Sequence, residues 1–247
     1  MSAVYFASDF HLGIPNAEES LIREKKIVKW LESIAIDADE IFLVGDIFDF
    51  WFEYKYVVPK GYTRLLGCLS KITDSGVKLN VFKGNHDMWM YGYFENEFGA
   101  NVISDEYIFE NSGKKFYVHH GDGLGNGDVV FKVLRKIFRS KFCKIPFAFF
   151  HPSLGLSFGN FLSSKSRLAQ QKIEYTNIDI EKEWLVHHCR EILKNNHYDY
   201  MIFGHRHITL DIKINENSRY INLGDWFNKC SYAVFDGKEL SLKNFES

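Results

Sequence analysis

Short polar motifs stand at the ends of apolar, strand-like runs along almost the whole 247-residue chain. Each motif brings together carboxylate, imidazole or amide side chains, which are groups that bind metal ions. The five motifs are Asp9-Phe10-His11, Gly45-Asp46-Ile47-Phe48-Asp49, Gly84-Asn85-His86-Asp87, His120-Gly121-Asp122 and Gly204-His205-Arg206-His207. Strand-end turns rich in Gly and Asp also arise by chance, but five in this order predict one shared metal site.

The spacing of these residues suits convergence on that site. Asp9 and His11 are two positions apart, so on a strand their side chains would face the same side. Asp46 follows a glycine that permits a sharp turn, and its two carboxylate oxygens can bridge two cations. Asn85 offers a neutral carbonyl oxygen. The candidate metal ligands are Asp9, His11, Asp46, Asn85, His120, His205 and His207.

Seven oxygen and nitrogen ligands are more than one ion needs, and they predict two divalent ions such as manganese, iron or zinc. Two such ions bind phosphate oxygens and lower the pKa of a bound water, so the motifs predict phosphoester hydrolysis. His86 should not be a ligand if its neighbour Asn85 is one. We expect His86 to donate a proton or hydrogen bond to the phosphate or leaving oxygen, with Asp49 orienting its imidazole.

Strands and helices alternate in the first half of the chain, and strands dominate its last part. Asn16 and Glu19 resemble a capping box before an amphipathic helix. The predicted strands are Ala3–Ala7, Ile41–Val44, Lys78–Phe82, Tyr107–Phe109, Lys115–Val118, Tyr200–Phe203, Tyr220–Leu223 and Tyr232–Phe235, and predicted helices include Tyr62–Ile72 and Ile180–Lys194. The pattern predicts an α/β (α+β) fold with a mixed sheet or two stacked sheets and helices outside.

Residues 123–175 interrupt this alternation, and we expect a helical insertion within a single domain spanning 1–247. Its first part is a basic amphipathic helix, and many phenylalanines follow. Pro146 and Pro152 are expected to interrupt the helices. The apolar face could simply pack on the core. Alternatively, the insertion is a lid that holds a lipid chain and touches an anionic membrane.

Composition excludes several classes of protein. A net charge of −2 argues against nucleic acid as a partner. The four cysteines have no pairing pattern and favour reduced thiols in a cytosolic protein. We see no signal peptide and no apolar stretch of about 18 residues that would span a bilayer.

The motifs resemble those of the calcineurin-like metallophosphoesterase superfamily over residues 9–207. The resemblance implies a four-layer αββα sandwich, here with a helical lid insertion. It also implies two metal sites that share one carboxylate. One ion would take Asp9, His11, Asp46 and His207, and the other Asp46, Asn85, His120 and His205.

A narrower resemblance is to the UDP-2,3-diacylglucosamine hydrolase family of lipid A biosynthesis. It is carried by Gly45–Trp51, by the spacing to Gly84–Asp87, and by His120–Asp122 followed by an inserted basic helical segment. The resemblance implies hydrolysis of the pyrophosphate bond of UDP-2,3-diacylglucosamine to UMP and lipid X, which is 2,3-diacylglucosamine 1-phosphate. It further implies two Mn²⁺ ions and a cytoplasmic protein, peripheral on the inner face of the bacterial inner membrane. We expect this protein to be a monomer.

This resemblance also implies a set of substrate contacts, some in the motifs and some in the insertion. They are Asn85, His86, Asp128, Phe131, Ser166, Gln170, Lys172 and His205. Well-known members carry arginine after the motif asparagine. This chain has His86 there, as in the general superfamily.

Two other functions fit parts of the sequence. A soluble metal-dependent phosphodiesterase or nucleotide phosphatase would keep the same ligands, but it would not need an aromatic and basic insertion. A non-catalytic scaffold on the same fold would be expected to lose ligands, and all seven are present here.

Overall fold

The computed structural model describes residues 3–125, 129–138, 140–170, 180 and 183–246. Eleven strands and seven α-helices occur within these ranges. The strands are β1 (Ala3–Ala7), β2 (Ala38–Leu43), β3 (Lys78–Phe82), β4 (Asn101–Ile103), β5 (Tyr107–Asn111), β6 (Lys114–His119), β7 (Tyr200–Phe203), β8 (Thr209–Lys213), β9 (Arg219–Leu223), β10 (Ser231–Phe235) and β11 (Leu240–Asn244). The helices are α1 (Ala17–Ile34), α2 (Thr63–Asp74), α3 (Tyr93–Phe98), α4 (Val129–Phe138), α5 (Lys141–Phe149), α6 (Pro152–Gln170) and α7 (Trp184–Ile192).

The strands form two mixed sheets. The first has the order β11-β10-β1-β2-β3-β4, and the second has the order β5-β6-β7-β9-β8. Strands β1 to β4 run parallel in the first sheet, and β6, β7 and β9 run parallel in the second. The carboxyl ends of these parallel strands are where a site is expected in such a fold.

Three apolar clusters separate four layers. Alternate residues of β1 point to opposite faces, so Phe6 faces the second sheet while Tyr5 faces the outer helices. Between the sheets, Phe6 stacks against Phe116 of β6 with ring centroids 6.1 Å apart. Helices α1 to α3 cover the outer face of the first sheet, and α7 covers that of the second. The predicted fold class, an αββα sandwich, is confirmed.

Helix α1 begins with the predicted cap. The Asn16 side chain accepts a hydrogen bond from the Glu19 amide at 2.9 Å, and its own amide donates to the Glu19 carboxylate at 2.8 Å. The carboxylate therefore meets the cap side chain, whereas a full capping box would bring it back to the cap backbone.

Several weakly patterned elements were absent from the sequence prediction. They are α3, β4, β8 and β11, and all are short. Strands β8 and β11 lie at sheet edges and alternate exposed polar residues with buried or partly buried apolar ones. Their low apolar content explains why the strand pattern was too weak to find.

The inserted segment, which we define as α4 to α6, is helical as predicted. Pro146, however, lies inside α5, so the expectation that it interrupts a helix is wrong. The carbonyl of Phe142 loses its partner there, but Phe142 is 93% exposed, so water can satisfy it. Pro152 is the first residue of α6, a position where its missing N–H removes no helical hydrogen bond.

The inserted segment packs on the loops that leave β2 and β3. Phe147 of α5 is buried against Phe50, Phe52 and Trp89, and the indole of Trp89 donates to the carbonyl of Phe138 at 2.9 Å. Among the described residues, no helix is both long and apolar enough to cross a membrane.

Candidate metal centre

The predicted ligands come from five loops at the carboxyl ends of parallel strands. Asp9 and His11 follow β1, Asp46 follows β2, and Asn85 follows β3, all in the first sheet. His120 and the His205–His207 pair follow β6 and β7 in the second sheet. The cleft at this shared edge therefore receives ligands from both sheets.

One group contains Asp9, His11, Asp46 and His207, whose ligand atoms all lie within 4.8 Å of one another. His207 Nε2 is 3.3 Å from the Asp9 carboxylate, and His11 Nε2 is 3.5 Å from that of Asp46. His11 Nε2 and His207 Nε2 face each other at 3.1 Å. These four residues are the set that the superfamily resemblance implied for one ion.

A second group contains Asp46, His120 and His205. His120 Nε2 is 3.4 Å from the Asp46 carboxylate and 3.3 Å from the side-chain oxygen of Asn85. Its Nδ1 lies 2.8 Å from the carbonyl of Val44, which can only accept, so Nδ1 carries the proton and Nε2 is left to bind metal. Asp46 thus belongs to both groups.

Backbone conformation directs these side chains into the cleft. Asp9, His11, Asp46, His205 and His207 all have φ between 42° and 67°, in the left-handed region that residues other than glycine rarely adopt. Such conformations persist only where the surroundings hold them, and they concentrate at functional sites. Sequence reasoning placed these residues at strand ends but could not give this conformation.

Burial and mutual charge set the protonation of the centre. Burial opposes charge on His120, but Asp46 and then Asp9 raise its pKa to about 10. Burial likewise opposes charge on His11, yet the surrounding carboxylates raise its pKa to about 9. Burial and the positive charge of His120 lower the pKa of His205 to about 3. His11 and His120 thus compensate the buried carboxylates, which a cation would otherwise do.

The buried carboxylate of Asp87 holds two of the ligand loops together. It accepts hydrogen bonds from the amides of Gly84 at 2.8 Å and Ile47 at 2.7 Å, and from those of Asp46 and Phe48 at 3.3 Å. A side chain at Gly84 would overlap Asp46. The loops after β2 and β3 are therefore fixed in close contact, and Asp46 is fixed with them.

The loop after β7 has its own support. Arg206 lies between the two histidines and forms a two-pronged ion pair with Glu183, with contacts of 2.9 to 3.2 Å. Its guanidinium also lies 4.0 Å from the ring centroid of Trp184. Glu183 caps α7, so this pair ties the loop to the helix layer.

His86 and Asp49 lie beside the centre, in a group with His11. His86 Nδ1 is 3.0 Å from the main-chain oxygen of Asp49 and 2.8 Å from Ser163 Oγ, whereas the Asp49 carboxylate is 3.7 Å away. Asp49 therefore contacts His86 directly through its backbone. Burial lowers the pKa of His86, which favours a neutral ring.

The narrower resemblance implied substrate contacts in the inserted segment, and the structure describes only some of these residues. Asp128 and Lys172 lie outside the described residues. Phe131 lies on α4, and Ser166 and Gln170 lie on α6, but their side chains are not among those described. Ser163, which sequence reasoning missed, reaches His86 from α6. No local motif marks it, because its partner is 77 positions earlier.

The donor set fits two divalent cations. Carboxylate oxygens, an amide oxygen and imidazole nitrogens are the ligands that such ions take in hydrolytic sites. His11 Nε2 and His207 Nε2 lie 3.1 Å apart, so one cation that displaces the proton between them could be bound by both nitrogens. The expectation of a divalent-metal site is thus supported by the chemistry of the residues present.

Relatives of known name match this chain over most of its length. A protein of Porphyromonas gingivalis named UDP-2,3-diacylglucosamine hydrolase is 38% identical over 259 aligned positions, which cover 99% of this chain and 98% of its own length. One of the same name from Histophilus somni is 23% identical, covering 92% of this chain and 93% of its own length.

Fold and family comparisons agree with the geometry. The structure of a hypothetical protein from Pyrococcus horikoshii superposes with a TM-score of 0.50 at 10% identity, covering 100% of this chain and 88% of that one. The family described as calcineurin-like phosphoesterase matches residues 3–209, from β1 to the start of β8. The matched residues include all the strand ends at which the ligands converge. The chain therefore belongs to the calcineurin-like phosphoesterase family.

Proposed function

We propose that this phosphoesterase hydrolyses the pyrophosphate bond of UDP-2,3-diacylglucosamine, giving UMP and lipid X. One observation carries the proposal beyond the family. Helix α6 of the inserted segment reaches the residues beside the metal centre, while phenylalanines on the same segment remain exposed. The full-length similarity to the Porphyromonas gingivalis protein of that name supports the same substrate.

The metal centre supplies the reactivity. Two divalent cations bound by the seven ligands, which we propose to be Mn²⁺, would bind phosphate oxygens and activate water. Asp46 serves both groups, and its position is fixed by contacts with His11 and His120. The reaction consumes one water and breaks one P–O bond of the pyrophosphate.

We assign His86 and Asp49 to the departure of the leaving group. The main-chain oxygen of Asp49 can only accept, so His86 carries a proton on Nδ1 and presents Nε2 to substrate. Burial favours the neutral ring before substrate binds. A phosphate group beside the ring favours the imidazolium form, from which Nε2 donates a hydrogen bond or proton to the leaving oxygen.

We propose that the inserted segment, within 123–175, is a lid for the acyl chains. Phe142 and Phe149 are 93% and 86% exposed, and Phe150, Leu154 and Phe158 are more than half exposed. Burying acyl methylenes against such side chains contributes about 0.8 kcal/mol each, so even part of a chain would dominate recognition.

The same surface suits contact with an anionic membrane. Exposed Lys136 and partly buried Lys132 lie on α4, and partly buried Lys144 lies on α5, the helix that also carries Phe142 and Phe149. We therefore propose a cytoplasmic monomer that binds peripherally at the inner face of the bacterial inner membrane. Basic residues near such a surface each contribute about 1 kcal/mol to binding.

The test is a comparison of acylated and non-acylated sugar nucleotides. Purified protein stripped by chelation and reloaded with Mn²⁺ is assayed with UDP-2,3-diacylglucosamine and UDP-N-acetylglucosamine, and products are identified by mass spectrometry. We expect strong preference for the acylated substrate and release of UMP. Equal cleavage of both would favour a soluble phosphodiesterase, and lack of all hydrolysis would favour a scaffold.

A further inference from the structure

Ser163 of α6 joins the inserted segment to the residues beside the metal centre. Its side chain is 8% exposed. Its hydroxyl donates to the Asp49 carboxylate at 2.7 Å and lies 2.8 Å from His86 Nδ1. Asp49 and His86 come from loops of the first sheet, so Ser163 brings α6 into contact with both loops.

The count of protons fixes the direction of these hydrogen bonds. Asp49 offers two acceptors, its carboxylate and its main-chain carbonyl, and the hydroxyl proton of Ser163 goes to the carboxylate. Ser163 Oγ must then accept from His86 Nδ1, which shares its proton with the Asp49 carbonyl at 3.0 Å. The hydrogen bonds thus run from His86 Nδ1 to Ser163 Oγ and from Ser163 to the Asp49 carboxylate, and they hold one side of the imidazole ring.

The surface of α6 lets the hydroxyl approach. Gly155, Gly159 and Ser163 are four positions apart, so they lie on one face of the helix. A side chain at Gly159 would overlap the Phe50 ring, and Phe50 directly follows Asp49. The helix therefore docks against the loop after β2 through residues without bulky side chains, and this close approach brings Ser163 Oγ to Asp49 and His86.

We propose that Ser163 is a positioning residue for hydrolysis, linking the Asp49 carboxylate to the His86 ring so that docking of α6 completes the alignment of His86. This inference rests on the proposed function of the same site. It makes the inserted segment part of the chemistry as well as of substrate binding. A serine that merely fills a polar gap would affect stability but would not act through His86.

The decisive experiment is a double-mutant cycle on the metal-loaded protein. Ser163→Ala should lower kcat about tenfold, leaving KM and bound metal nearly unchanged, because only the alignment of His86 is lost. Ser163→Thr retains the hydroxyl and should recover most of the rate. In a His86→Ala background, Ser163→Ala should cause no further loss, because its effect passes through the ring.

The close approach of α6 to Phe50 is tested with a separate variant. Gly159→Ala should push α6 away from Phe50 and lower kcat as Ser163→Ala does. Gly67→Ala is the matched control, because Gly67 is also helical but has no atom within 4 Å of an added Cβ. Ser157→Ala controls for loss of a hydroxyl from α6, since Ser157 is exposed and donates to the main-chain oxygen of Ser153 in its own helix. Both controls should retain the wild-type rate.

The readouts separate this inference from the proposed substrate. Each variant is assayed with UDP-2,3-diacylglucosamine and with bis(p-nitrophenyl) phosphate, a small phosphodiester. If the wild type cleaves only the latter, the proposed substrate is wrong, and the cycle still tests Ser163. If Ser163→Ala retains full kcat, or if its loss adds fully to that of His86→Ala, the positioning role is overturned.

Discussion

The metal centre and the inserted segment meet at His86, but they are built in different ways. In the centre, Asp9, His11, Asp46 and His120 are almost fully buried, the other ligands are partly buried, and all are held by loops at the ends of parallel strands. The inserted segment buries a few residues, such as Phe147, and leaves Phe142 and Phe149 in solvent. The contrast indicates that loops at the sheet ends supply the metal ligands, whereas the exposed side chains of the helices can vary to select a substrate.

Loss of Asp46 should have the largest effect, because its carboxylate serves both ligand groups. We expect Asp46→Ala to lower both bound metal and turnover, by more than the roughly 10²–10⁴-fold expected for a positioned proton donor. Elemental analysis and a hydrolysis assay measure the two effects. Asp39→Ala is the control, because Asp39 is exposed at the start of β2, whereas Asp46 follows the end of that strand. Full activity without Asp46 would remove the basis for a shared ligand.

His86→Ala should come next, since His86 contacts substrate without holding metal. Turnover should fall by roughly 10²–10⁴-fold while metal content stays near normal. The exposed His197, at the opposite end of the second sheet, provides the matched His197→Ala control with wild-type turnover. Loss of one metal ion from His86→Ala on elemental analysis would instead place His86 among the ligands.

The exposed phenylalanines should affect substrate choice but not chemistry. Phe142→Ser with Phe149→Ser should weaken binding to acylated substrate and to anionic vesicles by roughly tenfold per residue, because apolar burial is lost. Cleavage of bis(p-nitrophenyl) phosphate should be unchanged. Ile36→Ser removes an equally exposed apolar side chain from outside the segment and should change neither.

These point variants test acyl-chain binding more specifically than removal of residues 129–162. Such a deletion would also uncover Phe50, Phe52 and Trp89, which Phe147 covers. It would therefore disturb the loop after β2 together with the lid. If the double variant bound acylated substrate and vesicles like the wild type, the acyl-binding surface would lie elsewhere.

The smallest effect is expected from Arg206, which supports the ligand loop after β7 through its ion pair with Glu183. Arg206→Lys keeps the charge but loses the two-pronged contact with Glu183, so we expect metal affinity to fall about tenfold. Metal titration of stripped protein measures this change. Arg219→Lys breaks a similar pair with Asp211 far from the centre, and it should leave the affinity unchanged. A larger loss from Arg219→Lys would mean that the effect is one of general stability.

The sequence was most informative where burial was complete. Ala3–Ala7 and Tyr200–Phe203 were predicted with the bounds that the structure gives, because strands covered on both faces are continuous apolar runs. Lys78–Phe82 was also predicted with its observed bounds, although Lys78 is exposed and Asn80 is polar. Their ends carry the ligands, so the location of the centre was predictable as well. Helix α7 begins at Trp184 rather than Ile180, since Glu183 caps it.

The sequence was least informative where function depends on distant contacts. Asp49 was expected to orient His86, but the sequence does not show that the direct contact is made by its main-chain oxygen. The carboxylate reaches the ring through Ser163, whose serine-rich surroundings suggest no particular partner. Contacts of this kind depend on how α6 docks, and docking depends on packing that periodicity does not encode.

The wide separation of the ligands along the chain determines when the metal centre is completed during folding. Asp9 contacts the backbone of His205 across 196 positions. During synthesis on the ribosome, four of the ligand-bearing loops emerge before the fifth, and the centre stays incomplete until β7 has joined the second sheet. Because contacts so distant in sequence form slowly, completion of the metal site is a late event in folding and reports that both sheets have assembled.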